Sequence, residues 1–353
     1  MEEDDIYDSY EDEASDMSEP DENYALDSYE EEEPETSDVT NRIRKTSMFV
    51  NKHGNEWIAE AIQRPDPKSL WHSLWHEGEV CCLFADTNVG KSIYAVQIAD
   101  EIGKEQPVLY FDFEMSDKQF QLRYTDPATN ETYSFSKGFG RLEFSKDSQV
   151  LSDIDTIIEH IEAECVNYNA KVVIIDNITW LCNRSECGDA AGVLMQLLIS
   201  LKKRLGLSIM VLAHTPKRCI YSALTQNSLA GSKRIANFMD SMFAIGLSKA
   251  NRPQGRYIKQ IKVRSCEMLY GETNVIVAEL VKEGSLLQLR HTGFAAEADV
   301  MAEPDAEDEQ RKESLAEIRR LLAEKKSYSE IAGELGMSKA AVGRWALKIK
   351  NAG

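Results

Sequence analysis

Apolar positions between residues 70 and 292 follow two alternating patterns. Short unbroken runs at 80–84, 108–113, 172–175 and 208–213 read as strands buried on both faces. Between them, residues 91–102, the set Ile154, Ile157, Ile158 and Ile161, and residues 191–205 ending at Gly206 carry apolar side chains at helical spacing. Strands alternating with amphipathic helices predict an α/β fold whose mainly parallel sheet is covered on both faces. After Asp240 the runs at 257–263, 275–281 and 286–289 read as antiparallel strands extending that sheet. Trp71-His72 and Trp75-His76, four apart, predict an amphipathic helix packed by its tryptophans. The two histidines could share a metal, but no third ligand stands at matching spacing.

Charge separates the ends from this middle. Of 60 Asp and Glu, 19 fall in residues 1–40, which hold no Lys or Arg, so most of the formal charge of −20 belongs to a tail. So little apolar content cannot offset ordering entropy, and 1–40 is expected to be disordered. Residues 41–353 balance 40 basic against 41 acidic groups, so the acidic total does not exclude nucleic acid as a partner. A second acidic stretch without Lys or Arg, 297–310, reads as a linker. Residues 311–353, with ten basic and five acidic side chains, read as a separate small module. The expected domains are the tail (1–40), a large α/β domain (41–296), a linker (297–311) and a C-terminal module (312–353). No apolar run reaches the roughly 18 to 20 residues of a membrane span, and the acidic start is unlike a signal peptide. A soluble, cytoplasmic protein without membrane contact is expected. The seven cysteines form no CxxC pair and read as reduced core residues.

Residues 85–92, ADTNVGKS, match a phosphate-binding loop except that Ala85 replaces its first glycine. The loop Ala85, Asp86, Thr87, Asn88, Val89 and Gly90 would turn backbone N–H groups towards phosphates. Lys91 would reach the β and γ phosphates, and the Ser92 hydroxyl would hold Mg²⁺. Ala85 is tolerable there if its φ is negative. Asp176 ends the 172–175 strand, where a carboxylate can hold Mg²⁺ through its water shell; the plainer alternative is a helix cap. Glu114 follows the second strand and is placed to orient and deprotonate an attacking water. ATP and Mg²⁺ are the expected ligands.

FEMS at 113–116, with Gln119, Leu122 and Arg123 following, resembles the replicative DnaB helicases. ADTNVGKS, IIDN (174–177) and LAHTPKR (212–218) resemble the RepA-like, RecA-fold ATPases of plasmids and mobile elements. The resemblance spans roughly residues 70–292 and implies a RecA-like core that assembles as a homo-oligomer, a hexameric ring. It implies that Glu114 is the catalytic glutamate, Asp176 the Walker B aspartate and His214 the sensor of the γ-phosphate, where a buried core histidine is the alternative. It also implies that 229–240, LAGSKRIANFMD, lines a channel. Lys217, Arg218, Lys233 and Arg234 suit backbone contacts with single-stranded DNA, or a merely solvated loop. Lys262 and Arg264 resemble the KxR pair that ring ATPases insert into a neighbour's nucleotide, and otherwise form a solvent face. The primase-type and N-terminal assembly domains of DnaB have no counterpart.

In the C-terminal module, Ala332, Gly336, Val342 and Trp345 stand at helix-turn-helix spacing, which predicts duplex DNA binding; a structural three-helix bundle is the alternative. Ser338, Lys339 and Arg344 would face bases, with Lys348 and Lys350 at phosphates. The expected function is a DNA-acting, ATP-hydrolysing helicase or motor serving a mobile or replicating element. A DNA-bound ATP switch and a signalling ATPase acting on protein remain the alternatives.

Overall fold

The computed structural model describes residues 49–145, 153–182, 190–215, 221–229, 232–251, 253–302 and 306–350. The acidic tail at 1–40, Lys217 and Arg218 lie outside these residues, as do the side chains of Lys233, Arg234, Lys348 and Lys350. Of the described residues, 49–65 belong to one unit and those from Asp66 onward to another, and the α/β sheet lies in the second. The first unit contains helix α1 (Gly54–Ile62), started by a capping box between His53 and Glu56.

The second unit runs β1 (Ser69–Trp71), β2 (Trp75–His76), β3 (Val80–Ala85), α2 (Lys91–Ile102), β4 (Val108–Asp112), α3 (Asp117–Arg123) and β5 (Phe139–Leu142). It continues with α4 (Ile154–Asn167), β6 (Val172–Asp176), α5 (Ile178–Cys182), α6 (Ala190–Leu205), β7 (Ser208–His214), α7 (Ser232–Phe238) and β8 (Ser241–Leu247). Then follow β9 (Gly255–Lys262), β10 (Val275–Glu283), β11 (Leu286–Ala295), α8 (Glu297–Val300), α9 (Ala306–Ala323), α10 (Tyr328–Glu334) and α11 (Lys339–Lys350). Among the described residues no helix is long and apolar enough to cross a membrane.

Nine strands form one sheet in the order β11-β10-β9-β8-β3-β7-β6-β4-β5. The strands from β8 to β5 in that order are parallel, and β9 to β11 continue the sheet antiparallel. The expected α/β class therefore holds. The unbroken apolar run of β3 has a simple cause in the two-residue period of a strand. Val80, Cys82 and Phe84 pack on one face with α4 and α6, while Cys81, Leu83 and Ala85 pack on the other with α2. Cys81, Cys82 and Cys165 are buried free thiols, and burial pushes the Cys82 thiol up to about 12.

Two expectations fail here. The segment from Trp71 to His76 is a hairpin, not a helix: His72 and Ser73 have φ of 41° and 58°, which reverses the chain between β1 and β2. His72 is exposed and His76 buried, and the described residues contain no group of three His, Cys, Asp or Glu that could hold a metal. The acidic stretch from 297 also does not begin as a linker. Glu297 is 2% exposed, Ala302 donates its N–H to Leu247, and α9 starts at Ala306. Glu297 is buried because its carboxylate is an acceptor for several groups at once: it receives Lys259 Nζ at 2.5 Å, Tyr257 OH at 3.0 Å and Leu224 N–H at 3.0 Å.

The three C-terminal helices have their own small core of Ile318, Leu321, Ile331 and Val342, against which Ala332 and Trp345 pack. Ser327 and Glu330 form a capping box for α10. Gly336, with φ of 63°, makes the turn to α11, a conformation that favours glycine. Ser338 Oγ then accepts the Ala341 N–H at 3.2 Å, and Ser338, Lys339 and Arg344 are exposed.

Candidate nucleotide site

The parallel register brings the sequence-predicted residues to one edge. Ala85 pairs with His214 across β3 and β7, and Asp112 pairs with Asp176 across β4 and β6. The residues that end these strands therefore stand side by side at their carboxyl ends, where open α/β sheets bind ligands. A cavity of about 270 Å³ opens there, lined by Asp86, Thr87, Asn88, Gly90, Lys91, Ser92, Ile93, Glu114, Met115, Arg123 and His214.

The loop is shaped by local backbone chemistry. Ala85 is the last residue of β3, in strand conformation without a positive φ, so the missing first glycine costs nothing in backbone strain. Asn88, at φ 64°, takes a left-handed conformation that asparagine tolerates. Gly90 has φ of 111° and starts α2, and a Cβ on it would meet Leu289 Cδ1 at 3.3 Å. Both conformation and space thus call for glycine. Arg256, reaching from β9, donates to the Val89 carbonyl at 2.6 Å and holds it on the sheet side of the loop. Thr215 donates its hydroxyl to Asp86, and its N–H to Ala85 O at 3.3 Å, tying the end of β7 to the loop.

Beneath the loop lies an unsatisfied pair of charges. Lys91 Nζ stands 3.8 Å from Asp176 Oδ1, beyond hydrogen-bond distance, and both atoms are buried with no hydrogen-bond partner among the described residues. Burial lowers the Lys91 pKa, partly opposed by Asp176, and burial raises that of Asp176, opposed by Lys91 and by hydrogen bonds from Ser92 and Tyr110. Each group is thus pushed towards its neutral form. Phosphate oxygens on Lys91 and a cation at Asp176 would relieve both, and Ser92 lines the same cavity. Lys91, Ser92 and Asp176 therefore fit a magnesium–phosphate group.

Glu114 is held from two sides. Its Oε1 accepts from Asn177 Nδ2 and contacts His214 Nε2 at 3.0 Å, while Asn177 Nδ2 also lies 3.2 Å from His214 Nε2. The His214 contact, with help from Lys91 and against partial burial, keeps the Glu114 carboxyl below its ordinary pKa. Asp112 is fully committed elsewhere: it accepts the N–H groups of Glu114 and Met115 at 3.1 and 2.9 Å and Arg141 Nε at 2.9 Å. It fixes the turn that aims Glu114, so it is not a competing base.

Lys262 and Arg264 are not part of this cavity. β9 ends at Lys262, whose Nζ caps the Ala236 carbonyl at 3.0 Å, so Arg264 does not alternate with it along a strand. Arg264 is exposed and bonds Asp240 Oδ1 at 2.5 Å. Asp240 Oδ2 accepts the N–H of Val80, at the opposite end of β3 from the loop, about 16 Å away at 3.3 Å per residue. Sequence reasoning gave no role to Asn177 or Arg123, although both stand in the motifs quoted above, and missed Arg256. Asn177 lies next to Asp176 in IIDN, but nothing local marks Arg256 as a support of the loop.

Comparison with known proteins concerns the same segment. No curated protein matches this chain in sequence. A solved structure of a KaiC-like protein from the hyperthermophilic archaeon Pyrococcus horikoshii is similar at 15% identity and a TM-score of 0.44, covering 61% of this chain and 90% of that one. Residues 50–219, a little under half of the chain, match the family described as an AAA domain. That stretch contains the whole phosphate loop, Glu114, Asp176 and His214, and by it this part of the chain is similar to P-loop ATPases of the AAA kind.

Proposed function

We propose that the chain binds Mg-ATP at the carboxyl edge of its sheet and hydrolyses it, as a RecA-type motor acting on DNA. The buried, unpartnered Lys91 Nζ and Asp176 Oδ1, 3.8 Å apart at the foot of the loop, carry this reading. Backbone N–H groups at the start of α2 and the Lys91 ammonium bind the phosphates. Ser92 and Asp176 would hold magnesium, which when bound would supply positive charge against the phosphoryl oxygens. Ionised Glu114, with His214 and Asn177 fixing Oε1, orients a water and draws its proton. His214 links Glu114 to β7 and, through the neighbouring Thr215, to Asp86 of the loop, the position from which a sensor would report the phosphate.

The DNA part of the reading is supported by the C-terminal helices: a glycine turn between α10 and α11, and Ser338, Lys339 and Arg344 exposed at the start and on the flank of α11. Oligomeric action is supported by Arg264, which lies far from its own chain's phosphate loop and could serve only another copy's nucleotide. A second reading, a DNA-bound ATP switch without strand separation, is favoured by the same residue. In that reading an assembly step would have to free Arg264 from its ion pair with Asp240 before it could act.

One set of assays separates these readings. Lys91→Ala should lose ATP binding, whereas Glu114→Gln should bind ATP and turn over about 10²- to 10⁴-fold more slowly. Wild-type turnover by Glu114→Gln removes the base assignment. Stimulation of wild-type turnover by single strands, with strand displacement, identifies the motor; slow turnover tied only to assembly identifies the switch; indifference to any DNA defeats both. Deletion of 311–353 should abolish duplex affinity in the same preparations.

A further inference from the structure

We propose that a second, smaller cavity, beside the later turns of α2, binds an alkylammonium group, the charged head of a free amine or of a lysine side chain. The cavity measures about 150 Å³ and shares no lining residue with the phosphate cavity.

Its walls come from distant parts of the chain. Asp100 and Glu101 stand late in α2, Trp71 ends β1 and Leu286 opens β11. The remaining wall is a reversal that follows α3: Asn130, at φ 60°, turns the chain, and the Tyr133 N–H donates to the Tyr124 carbonyl at 2.8 Å. That reversal gathers Tyr124, Tyr133 and Phe135, whose ring centroids lie 4.9 to 6.5 Å apart. Asp100 fastens it to α2, accepting the Tyr133 hydroxyl at 2.8 Å and the Ser136 N–H at 2.7 Å.

The chemistry of this wall is that of a cation site. Among the described residues Asp100, which is buried, accepts from neutral donors and forms no ion pair, while Lys104 of the same wall is bound to Glu101. A carboxylate has about four acceptor sites, so Asp100 retains capacity for a charged donor. The neighbouring polar groups are satisfied: Trp71 Nε1 donates to Tyr94 OH at 2.7 Å, and the Gln97 amide is bonded twice to the Leu289 backbone. Tyr124 is the exception. The residue is 3% exposed, and its hydroxyl has no hydrogen-bond partner among the described residues. Burial, opposed by Arg123 and aided by Asp100, raises its pKa, so it stays a phenol whose oxygen can accept. A buried hydroxyl without a partner costs free energy. An ammonium head would donate to that oxygen, bring Asp100 its missing counter-charge and lie against the aromatic rings, which attract cations. An anion would meet Asp100 and Glu101. Room for about six non-hydrogen atoms limits the attached chain to a few carbons, which would run along Leu286.

NMR titrations of the full-length protein at pH 7 test this with n-butylamine, which is protonated there, against 1-butanol, its neutral equal in size. The amine should bind about tenfold or more tightly than the alcohol. Equal affinities, or no binding of the amine, overturn the proposal. Asp100→Asn should abolish the preference for the amine, but Asp100 also holds the reversal, so Tyr124→Phe decides the case. It removes a hydroxyl without a partner, so the melting temperature should not fall, while amine affinity should drop about threefold or more and alcohol affinity stay the same. An amine affinity unchanged in Tyr124→Phe, or a loss shared equally by the alcohol, overturns the proposal. Nα-acetyl-lysine N-methylamide then separates the sources. Binding as tight as that of butylamine supports the lysine side chain of a partner, and exclusion of the derivative while butylamine binds supports a free amine.

Discussion

Two groups of buried charges in this protein are built in opposite ways. Around Glu297 every charge is answered from within the chain. Lys259 Nζ bonds Glu297 Oε2 and the Leu224 carbonyl, while Tyr257 OH and the Leu224 N–H satisfy Glu297 Oε1. This closed set ties the chain that follows β7 to β9 and α8. Around Lys91 the charges are left open: Lys91 Nζ, Asp176 Oδ1 and Arg123 Nη1 are buried with no hydrogen-bond partner among the described residues. A closed network specifies structure. An open one holds its energy in reserve for a ligand that brings the missing acceptors and cation.

Variants can break this contrast, and the largest effect belongs to the closed network. Lys259→Met leaves Glu297 buried and uncompensated and should destabilise the unit by about 3–5 kcal/mol in urea melts. Replacing both partners, as Lys259→Met with Glu297→Leu, should recover part of that loss. Lys91→Met in the open group should cost much less, about 1 kcal/mol or under, because its partner Asp176 is 3.8 Å away and already pushed towards its neutral form, and ATP should no longer raise the melting temperature. If Lys91→Met destabilises as much as Lys259→Met, the two groups are not different in kind.

The smallest effect comes from a half-buried group held neutral. His291 contacts Tyr94 OH through Nε2 at 2.9 Å and lies tilted against the His72 ring, and burial, then the His72 charge, push its pKa down to about 4. Its folded pKa lies below the unfolded value near 6.5, so between these values the unfolded chain binds the extra proton. Stability should therefore be complete above about pH 6.5 and fall as pH drops towards 4. His291→Gln should flatten that decline in thermal melts recorded across the window, and an unchanged slope would assign the acid sensitivity to other groups.

The phosphate loop was legible because its chemistry is contiguous: strand, loop, Gly90, Lys91, Ser92 and helix occupy one stretch of chain. The doubly buried strands were legible too, since a run apolar on both faces has few other uses. The β8 strand, SMFAIGL, went unread, because an apolar run directly after a helix carries no periodicity of its own and only its insertion beside β3 makes it a strand. The hairpin at 69–76 was misread because Trp and His four apart fit a helical turn as well as a tight reversal, and backbone φ values decide between them. Glu297 was misread because an acidic stretch looks solvated until a lysine from a distant strand is placed against one member.

What the sequence determined by itself, then, was the material of local chemistry: a loop for phosphates, apolar strands and helices, and a basic C-terminal module with a turn glycine. The tertiary structure decided which distant residues meet. Glu114, Asn177 and His214 converge because β4, β6 and β7 are adjacent and parallel, so that residues 63 and 37 positions apart end their strands at one edge. Arg264 is turned away from that edge because β9 runs antiparallel. Strand order and direction are settled by non-local pairing and burial of two helical faces at once, and no window of the chain contains that information.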